Sequence, residues 1–453
     1  MSVQPEPLES LAAPQPQVPA DRRHMKPPAA PDAYTEAVRS GLYAKHSGLT
    51  GKYDNVRRYW EDEITRLQLR PYLQRLIERS RAHMRRVRVL DLGCGSADGY
   101  ELLTGIRCRD AGLQQTEVRL LTPDTFGLYK GVDLNESLLA QARAIYSDNP
   151  KMIFQQGDFT QGLPLFEDEK PYDLYFSSYG TCSHHNDDET MVSLLAEIAR
   201  RVENYAIVVC DWIGRYSYEW QSLWTNDPSE RQNMDYVVSY IYPREEREQR
   251  RDELQHLWLR LMSRQEAEAI FAEASQRAGV PIRLASCFDR SVWVGRHMDT
   301  GEYNPHAQPI REVVNSLHEE NIRTDLSTLF IDYHPKLGFP FLNDYYEHLQ
   351  MCWNTLVEYT SELLECFDER SRDYATPPPP VPGGYPPELQ KMMTRMRAVV
   401  EGVGWLETGL PRENIIEPQL GYSLRGLISQ LQKGLGCGHS ISAILEIDKR
   451  NGE

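Results

Sequence analysis

The sequence predicts an α/β protein built on a doubly wound, mostly parallel sheet, and three observations carry that expectation. Short apolar runs alternate with helical patterns from about residue 87 to 297, as strands separated by crossover helices do. One run, Val87-Arg88-Val89-Leu90-Asp91-Leu92, ends in Gly93-Cys94-Gly95, a turn that lets backbone approach a ligand at the start of a helix. Acids then end or follow the next two runs, at Asp133 and Asp158. Open α/β sheets bind their ligands at that carboxyl edge.

Taken in order, residues 1–32 carry eight prolines and no hydrophobic period, which predicts a disordered tail. Helical patterns at 33–46 and 54–85 form an N-terminal cap over 33–86, with Pro71 expected to divide the second helix. After the 87–92 strand come a helix near 98–107 and a strand Leu128–Asp133. Asn135 is placed to cap a helix reaching about Tyr146. Strands follow at Met152–Gln156, Tyr172–Phe176 and Ala206–Cys210. Ser263-Arg264-Gln265-Glu266 has the capping-box pattern and opens a helix to about Ala278. Two strands, near 281–288 and 290–296, are expected to finish the sheet and close a domain at 87–299. Residues 300–375 read as a helical extension, 376–387 as a Pro-rich linker and 388–453 as a C-terminal segment. Within the last, Gly434-Leu435-Gly436-Cys437-Gly438 imitates a nucleotide loop. It follows a helical pattern, however, and so reads as a helix C-cap and turn.

Bulk properties exclude some partners. A formal charge of −16 repels a phosphate backbone and disfavours nucleic acid; the basic stretch 79–88 reads as a solvated helix face. No apolar run approaches the roughly 18 residues that span a bilayer. The first residues lack secretory features and the eight cysteines are scattered singly. Both point to a cytoplasmic protein with reduced thiols.

The glycine turn is more specific than a generic nucleotide loop. Dinucleotide folds want G-x-G-x-x-G, whereas Gly93-Cys94-Gly95-Ser96-Ala97-Asp98-Gly99 is one residue wider. Asp91, two residues before the first glycine, would repel a pyrophosphate and attract the ammonium of an amino acid. Asp133 is placed to accept two ribose hydroxyls. Asp158 and Phe159 offer a carboxylate and a ring to adenine. Each acid alone is equally a turn former or helix cap; their coincidence on consecutive strands is what points to a ligand.

The combination Val89-Leu90-Asp91-Leu92-Gly93-Cys94-Gly95, Gly131-Val132-Asp133-Leu134 and Gly157-Asp158-Phe159 resembles the class I S-adenosylmethionine (SAM)-dependent methyltransferases over roughly residues 85–297. The resemblance implies a seven-stranded sheet of class I methyltransferase type, with an antiparallel final strand and SAM as cofactor. It implies that Gly93 and Gly95 flank the methionine moiety, with Asp91 and Cys94 of the same turn also binding the cofactor. Asp133 would meet the ribose, with Leu134 another cofactor-binding residue, Asp158 and Phe159 the adenine, and Ser177 would follow the fourth strand beside the cofactor. Upstream, Tyr53, Arg57 and Trp60 belong to a helix placed to cover the cofactor, with Arg57 toward the methionine carboxylate. One departure is the separation of Gly95 from Asp133, 38 positions against about 20 in this type of fold. An insertion within 108–127 accounts for it.

Methyl transfer chiefly needs alignment and exclusion of water, with a base where the acceptor keeps a proton. His184 and His185, after the fourth strand, are the base candidates; packing beside the cofactor without proton transfer is the alternative. Trp212, Tyr216 and Tyr218 lie in the run Asp211–Trp220, where an acceptor would stack; core packing is the competing role. Relative to this family, the chain lacks Asn-Pro-Pro-Tyr, a Pro-Cys nucleophile, the double-Glu loop and the catechol metal pattern. Cys182-x-His184 and His297-x-Asp299 lack partners at metal-binding spacing, so no metal is expected. The expectation is a methyltransferase acting on an O or N atom of a small organic metabolite. A catalytically inactive SAM-binding regulatory or partner subunit and a protein or RNA methyltransferase stay open.

Overall fold

The computed structural model describes residue 38 and residues 52–449, apart from 111–115, 167, 186, 228–229, 231–232, 243 and 407–408. The expected tail at 1–32 and helix at 33–46 therefore lie outside the described residues, Val38 aside. Among the described residues, seven strands form the main path of a nine-stranded sheet: β1 Val87–Leu92, β2 Phe126–Asp133, β3 Met152–Gln156, β4 Leu174–Phe176, β5 Tyr205–Gly214, β6 Ile282–Arg290 and β7 Ser440–Asp448. Their order is β6-β7-β5-β4-β1-β2-β3. All run parallel except β7, which is antiparallel to both β5 and β6. The order reverses direction between β1 and β4, so the carboxyl ends of these strands border the crevice where such sheets bind ligands.

Burial explains the strands. β5 is buried at every position from Ala206 to Gly214, as a central strand covered on both faces must be. One face carries α4 (Asp188–Arg201) and α5 (Arg264–Ala278), whose Leu195, Ile198, Ile270 and Phe271 pack on β4 and β5. The other carries α1 (Asp62–Ala82), α2 (Asp98–Thr104) and α3 (Glu136–Ile145). Asn135 caps α3 by accepting from the N–H groups of Ser137 and Leu138 at 2.9 and 3.2 Å. Ser263 and Glu266 form the expected capping box on α5. Among the described residues, no helix is long and apolar enough to cross a membrane.

Several expectations need correction. α1 runs through Pro71 without a break; Leu67, whose carbonyl the proline leaves without a helical donor, is exposed to solvent. The 281–288 strand continues to Arg290 as β6, but 290–296 is not a strand. Ser291 and Trp293 there have φ of 60° and 67°, which extended chain does not adopt. The seventh strand comes instead from the C-terminal segment, so the sheet does not close at 299. Residues 291–439 are an insertion between β6 and β7 carrying α6 (Ile310–Ser316), α7 (Pro340–Cys366), α8 (Pro387–Gly402) and α9 (Glu417–Leu431). The Pro-rich stretch runs within that insertion, with Val381 and Tyr385 packed on the main core. An antiparallel hairpin, Arg107–Asp110 with Thr116–Arg119, takes up the excess before β2. A second hairpin, Asn233–Val237 with His256–Met262, lies beside the end of β5 through Ile213–Leu261 and Gly214–Met262 pairs.

Candidate active site

The glycine turn is tied to β2 by backbone. Gly93 and Cys94 donate to the Val132 carbonyl at 2.8 and 3.0 Å. Gly93 has φ +72°, and a Cβ there would fall 2.2 Å from Thr181 Cγ2, so only glycine fits. Gly95 N–H donates to Asp133 Oδ2 at 2.8 Å and Asn135 N–H to Oδ1 at 2.9 Å. Burial pushes the Asp133 carboxyl up, while those two N–H groups work in the opposite direction. Its neighbour Leu134 is 57% exposed and forms an apolar rim.

Asp91 lies beneath the turn, 1% exposed. The Tyr129 hydroxyl donates to its Oδ2, and Oδ1 has no partner. Burial raises its pKa to about 8. Asp98 opens α2 and collects the Lys52 ammonium, the Tyr53 hydroxyl, Ser96 Oγ at 3.1 Å and Arg57 at 3.1 Å. Burial opposes charge on Asp98, but the Lys52 and Arg57 cations outweigh it and hold the carboxyl well below its usual range. The Arg57 guanidinium also sits over the rings of Tyr53 and Tyr179, at 4.4 and 4.0 Å. A cavity of about 730 Å³ opens beside this cluster, lined among others by Asp62, Asp98, Tyr179 and Arg425. Sequence reasoning passed over Lys52, Asp98 and Tyr179. An acid in the first turn after a glycine loop was a readable signal for Asp98; nothing local marks Lys52.

On the β3–β4 side, Asp158 Oδ1 accepts from Thr160 N–H at 2.9 Å and from its hydroxyl at 2.6 Å. The Phe159 ring lies 5.2 Å from His185. His185 is 2% exposed and neither ring nitrogen has a partner. Burial lowers both His184 and His185 to about 4, so both are neutral near pH 7. Ser177 is buried beside them and accepts from the Cys182 thiol at 3.3 Å.

The aromatic acceptor candidates are not brought to this edge. Trp212 lies within β5 and packs on Phe271 of α5, 6.0 Å between rings. Tyr218 is buried among Trp293, Tyr333 and Tyr346 at 5.5, 5.1 and 6.0 Å. Tyr216 packs edge-on to Trp224, and Trp60 meets Trp353. The strand's alternation turns Trp212 to the α5 face, and the inserted helices enclose the tyrosines. The β5–β7 edge carries different groups. Asp211 accepts from Gly180 N–H at 2.5 Å, from Arg290 at 3.1 Å and from the Ser442 hydroxyl. Tyr179 donates to Asp62 Oδ1 at 2.8 Å.

No family model and no curated protein matches the chain. Among solved structures, it is similar to an S-adenosylmethionine-dependent methyltransferase from Clostridium acetobutylicum, at 11% identity and TM-score 0.33, over 56% of this chain and 91% of that one. It is similar to CalS10, an amino pentose methyltransferase from Micromonospora echinaspora, at 17% identity and TM-score 0.28, over 50% and 85%. The CcbJ methyltransferase from Streptomyces caelestis aligns at 15% identity and TM-score 0.30, over 48% and 86%. At these scores the strand order and the single antiparallel strand, rather than the superpositions, define the architecture. It is the sheet of class I methyltransferase type.

Proposed function

We propose that this protein is a SAM-dependent methyltransferase whose acceptor is an O or N atom of a small organic molecule. One observation carries the reading. The Asp91–Gly95 turn, Asp133 and Asp158–Phe159 converge at the carboxyl ends of three neighbouring strands, and Asp133 is hydrogen-bonded across the turn to Gly95. The residues present fit the cofactor. The unpartnered Asp91 Oδ1 is a buried acceptor beneath the turn, and a Cβ at Gly95 would meet no atom nearer than Lys52 Nζ at 3.8 Å, which leaves room above it.

Bound SAM would supply a methyl group made electrophilic by its sulfonium. The chain's own residues hold and screen it. The Gly93-Cys94-Gly95 turn with Asp91 beneath receives the methionine end, Lys52 and Arg57 provide cations for its carboxylate, and Asp133 with Leu134 takes the ribose. Asp158 and Phe159 take the adenine, with Ser177 alongside. His185, buried without a hydrogen-bond partner and neutral near pH 7, suits packing against the cofactor better than proton transfer; His184, half-buried and also neutral near pH 7, is read the same way. An acceptor of small size is consistent with the net charge of −16, which works against a phosphate backbone.

Two measurements test the reading. Calorimetric titration with SAM should show micromolar-range binding, and absence of binding would remove it. Incubation with methyl-labelled SAM and a cell extract should put label into low-mass product. Label in protein or RNA would replace the small acceptor with a macromolecule, and binding without transfer would indicate a regulatory subunit.

A further inference from the structure

At the other end of the sheet edge, where β5 ends beside the start of β7, three separated stretches of chain meet around Glu219. This carboxylate is 1% exposed and accepts from Ser217 Oγ at 2.9 Å, from His297 N–H at 2.6 Å and from His439 Nδ1 at 2.9–3.0 Å. Gly295 approaches so closely that a Cβ would fall 2.0 Å from Glu219 Oε1, so the loop is shaped around the carboxylate. His439 stands just before β7, its carbonyl accepting from Gly214 N–H at 3.1 Å. Asp289 pins the loop ahead of it. Its carboxylate accepts from the N–H groups of Leu435, Gly436, Cys437 and Gly438 at 2.9, 2.8, 2.9 and 3.3 Å. The segment that imitates a nucleotide loop is thus a backbone nest filled by the protein's own acid, and it delivers His439 onto Glu219.

With Nδ1–H donating to Glu219, the second ring nitrogen is an acceptor. Nε2 faces the Tyr236 hydroxyl at 3.4 Å, longer than a good hydrogen bond. Aromatic rings surround it, Trp220 at 5.6 Å, Tyr236 at 6.1 Å and His297 at 6.4 Å. Arg296 sits over Tyr240 at 4.8 Å and donates to the Lys52 carbonyl at 3.3 Å. The cluster is therefore continuous with the chain that covers the glycine turn. β7 lies two strands from β4, across β5.

We propose that His439, oriented by Glu219, is the general base of the reaction and that the acceptor is a hydroxyl-bearing small molecule held against Tyr236 and Tyr240. The assignment rests on the methyltransferase reading above. The acceptor O–H proton passes to His439 Nε2 as an oxygen lone pair forms the bond to the methyl carbon. The carbon–sulfur bond breaks with its electron pair staying on sulfur. The products are a methyl ether, a neutral thioether and an imidazolium beside Glu219. A hydroxyl needs this base more than an amine does, because a neutral amine already presents its lone pair.

The test compares wild type, His439→Gln, His439→Ala and Glu219→Gln. SAM affinity is read by calorimetry, and methyl transfer is read from labelled SAM into a protein-free small-molecule extract of cells. His439→Gln should keep SAM affinity within about twofold and lose about 10²–10⁴-fold in transfer rate, with a residual rate that climbs with pH. Added imidazole should restore part of the activity of His439→Ala, and Glu219→Gln should fall between. Transfer by His439→Gln within threefold of wild type overturns the base assignment. So does joint loss of SAM binding and transfer, which marks a structural role. Failure of wild type to bind SAM overturns the methyltransferase reading itself, and wild-type binding with no labelled product counts against both.

Discussion

At the β1–β3 end of the sheet edge, residues 52–57 and 91–185 assemble a cleft from neighbouring strands, backbone N–H groups and carboxylates, with Asp98 ion-paired to Lys52 and Arg57. At the β5–β7 end, groups from residues 54–62, 211–219, 289–311 and 439–442 meet, and most of the buried charges are paired. Arg290 binds Asp211. Arg311 takes both oxygens of Asp54, at 2.7 and 2.8 Å, and also Glu61 at 2.7 Å. The contrast lies in what each end leaves unsatisfied. Near β1 a buried carboxyl oxygen, Asp91 Oδ1, has no partner, and a cationic ligand group would complete it. Near β5 the Asp211, Asp54 and Glu61 carboxylates close on arginines and anchor the N-terminal cap to the insertion, and the atoms left without a partner are nitrogens such as Arg290 Nη1 and His297 Nε2. Such pairs define geometry more than they add stability, but losing one partner is costly.

The largest expected effect tests that division of labour. Arg311→Ala strands the Asp54 and Glu61 carboxylates and should lower stability by about 3–5 kcal/mol, read as a shifted urea-unfolding midpoint. SAM affinity of the folded protein should hold, and a matching loss of affinity would erase the distinction between the two ends. Next, Asp133→Ala should weaken SAM binding on the order of 100-fold, since two hydrogen bonds to a charged group are removed. Unchanged titrations would sink the cofactor cleft.

Asp91 provides the pH test. Its pKa in the folded protein, about 8, lies above the ordinary carboxyl value, so the protonated form is held at pH 7. That contribution to stability is complete below about pH 4 and is lost as pH rises through 8. A cationic ligand favours the carboxylate, so SAM binding should release a proton and tighten from pH 6 to 8, by at most about tenfold per unit. Calorimetry in buffers of different ionisation heat counts that proton, and Asp91→Asn should abolish it. The smallest effect belongs to Asn135→Ala, about 1 kcal/mol for a lost helix cap. Both backbone donors to Asp133 survive in that variant, so SAM affinity should stay within about twofold; a larger loss would tie the cap to the site.

Much of the cofactor end was legible in sequence, because its signals are local. An apolar run followed by a glycine turn, and an acid closing the next run, depend on residues a few positions apart. Trp212 shows where that logic stops. The apolar run ends at Cys210, so Asp211–Trp220 looks like a loop, yet β5 extends to Gly214 because β7 pairs with it through Ile213 and Ser440. Extension of the strand turns Trp212 into the core. Nothing near residue 440 announces that partner, since a short apolar run is compatible with any sheet.

By itself, then, the amino-acid sequence determined the parallel sheet, the glycine turn and the three acids at its edge, since strand, turn and cap preferences act over a few residues. Only the tertiary structure decided that the last strand returns from beyond the insertion to lie between β5 and β6, and that His439 meets Glu219. Those placements depend on burial and on hydrogen bonds to a carboxylate from a group more than two hundred residues away, and no local pattern encodes which distant group will be the neighbour.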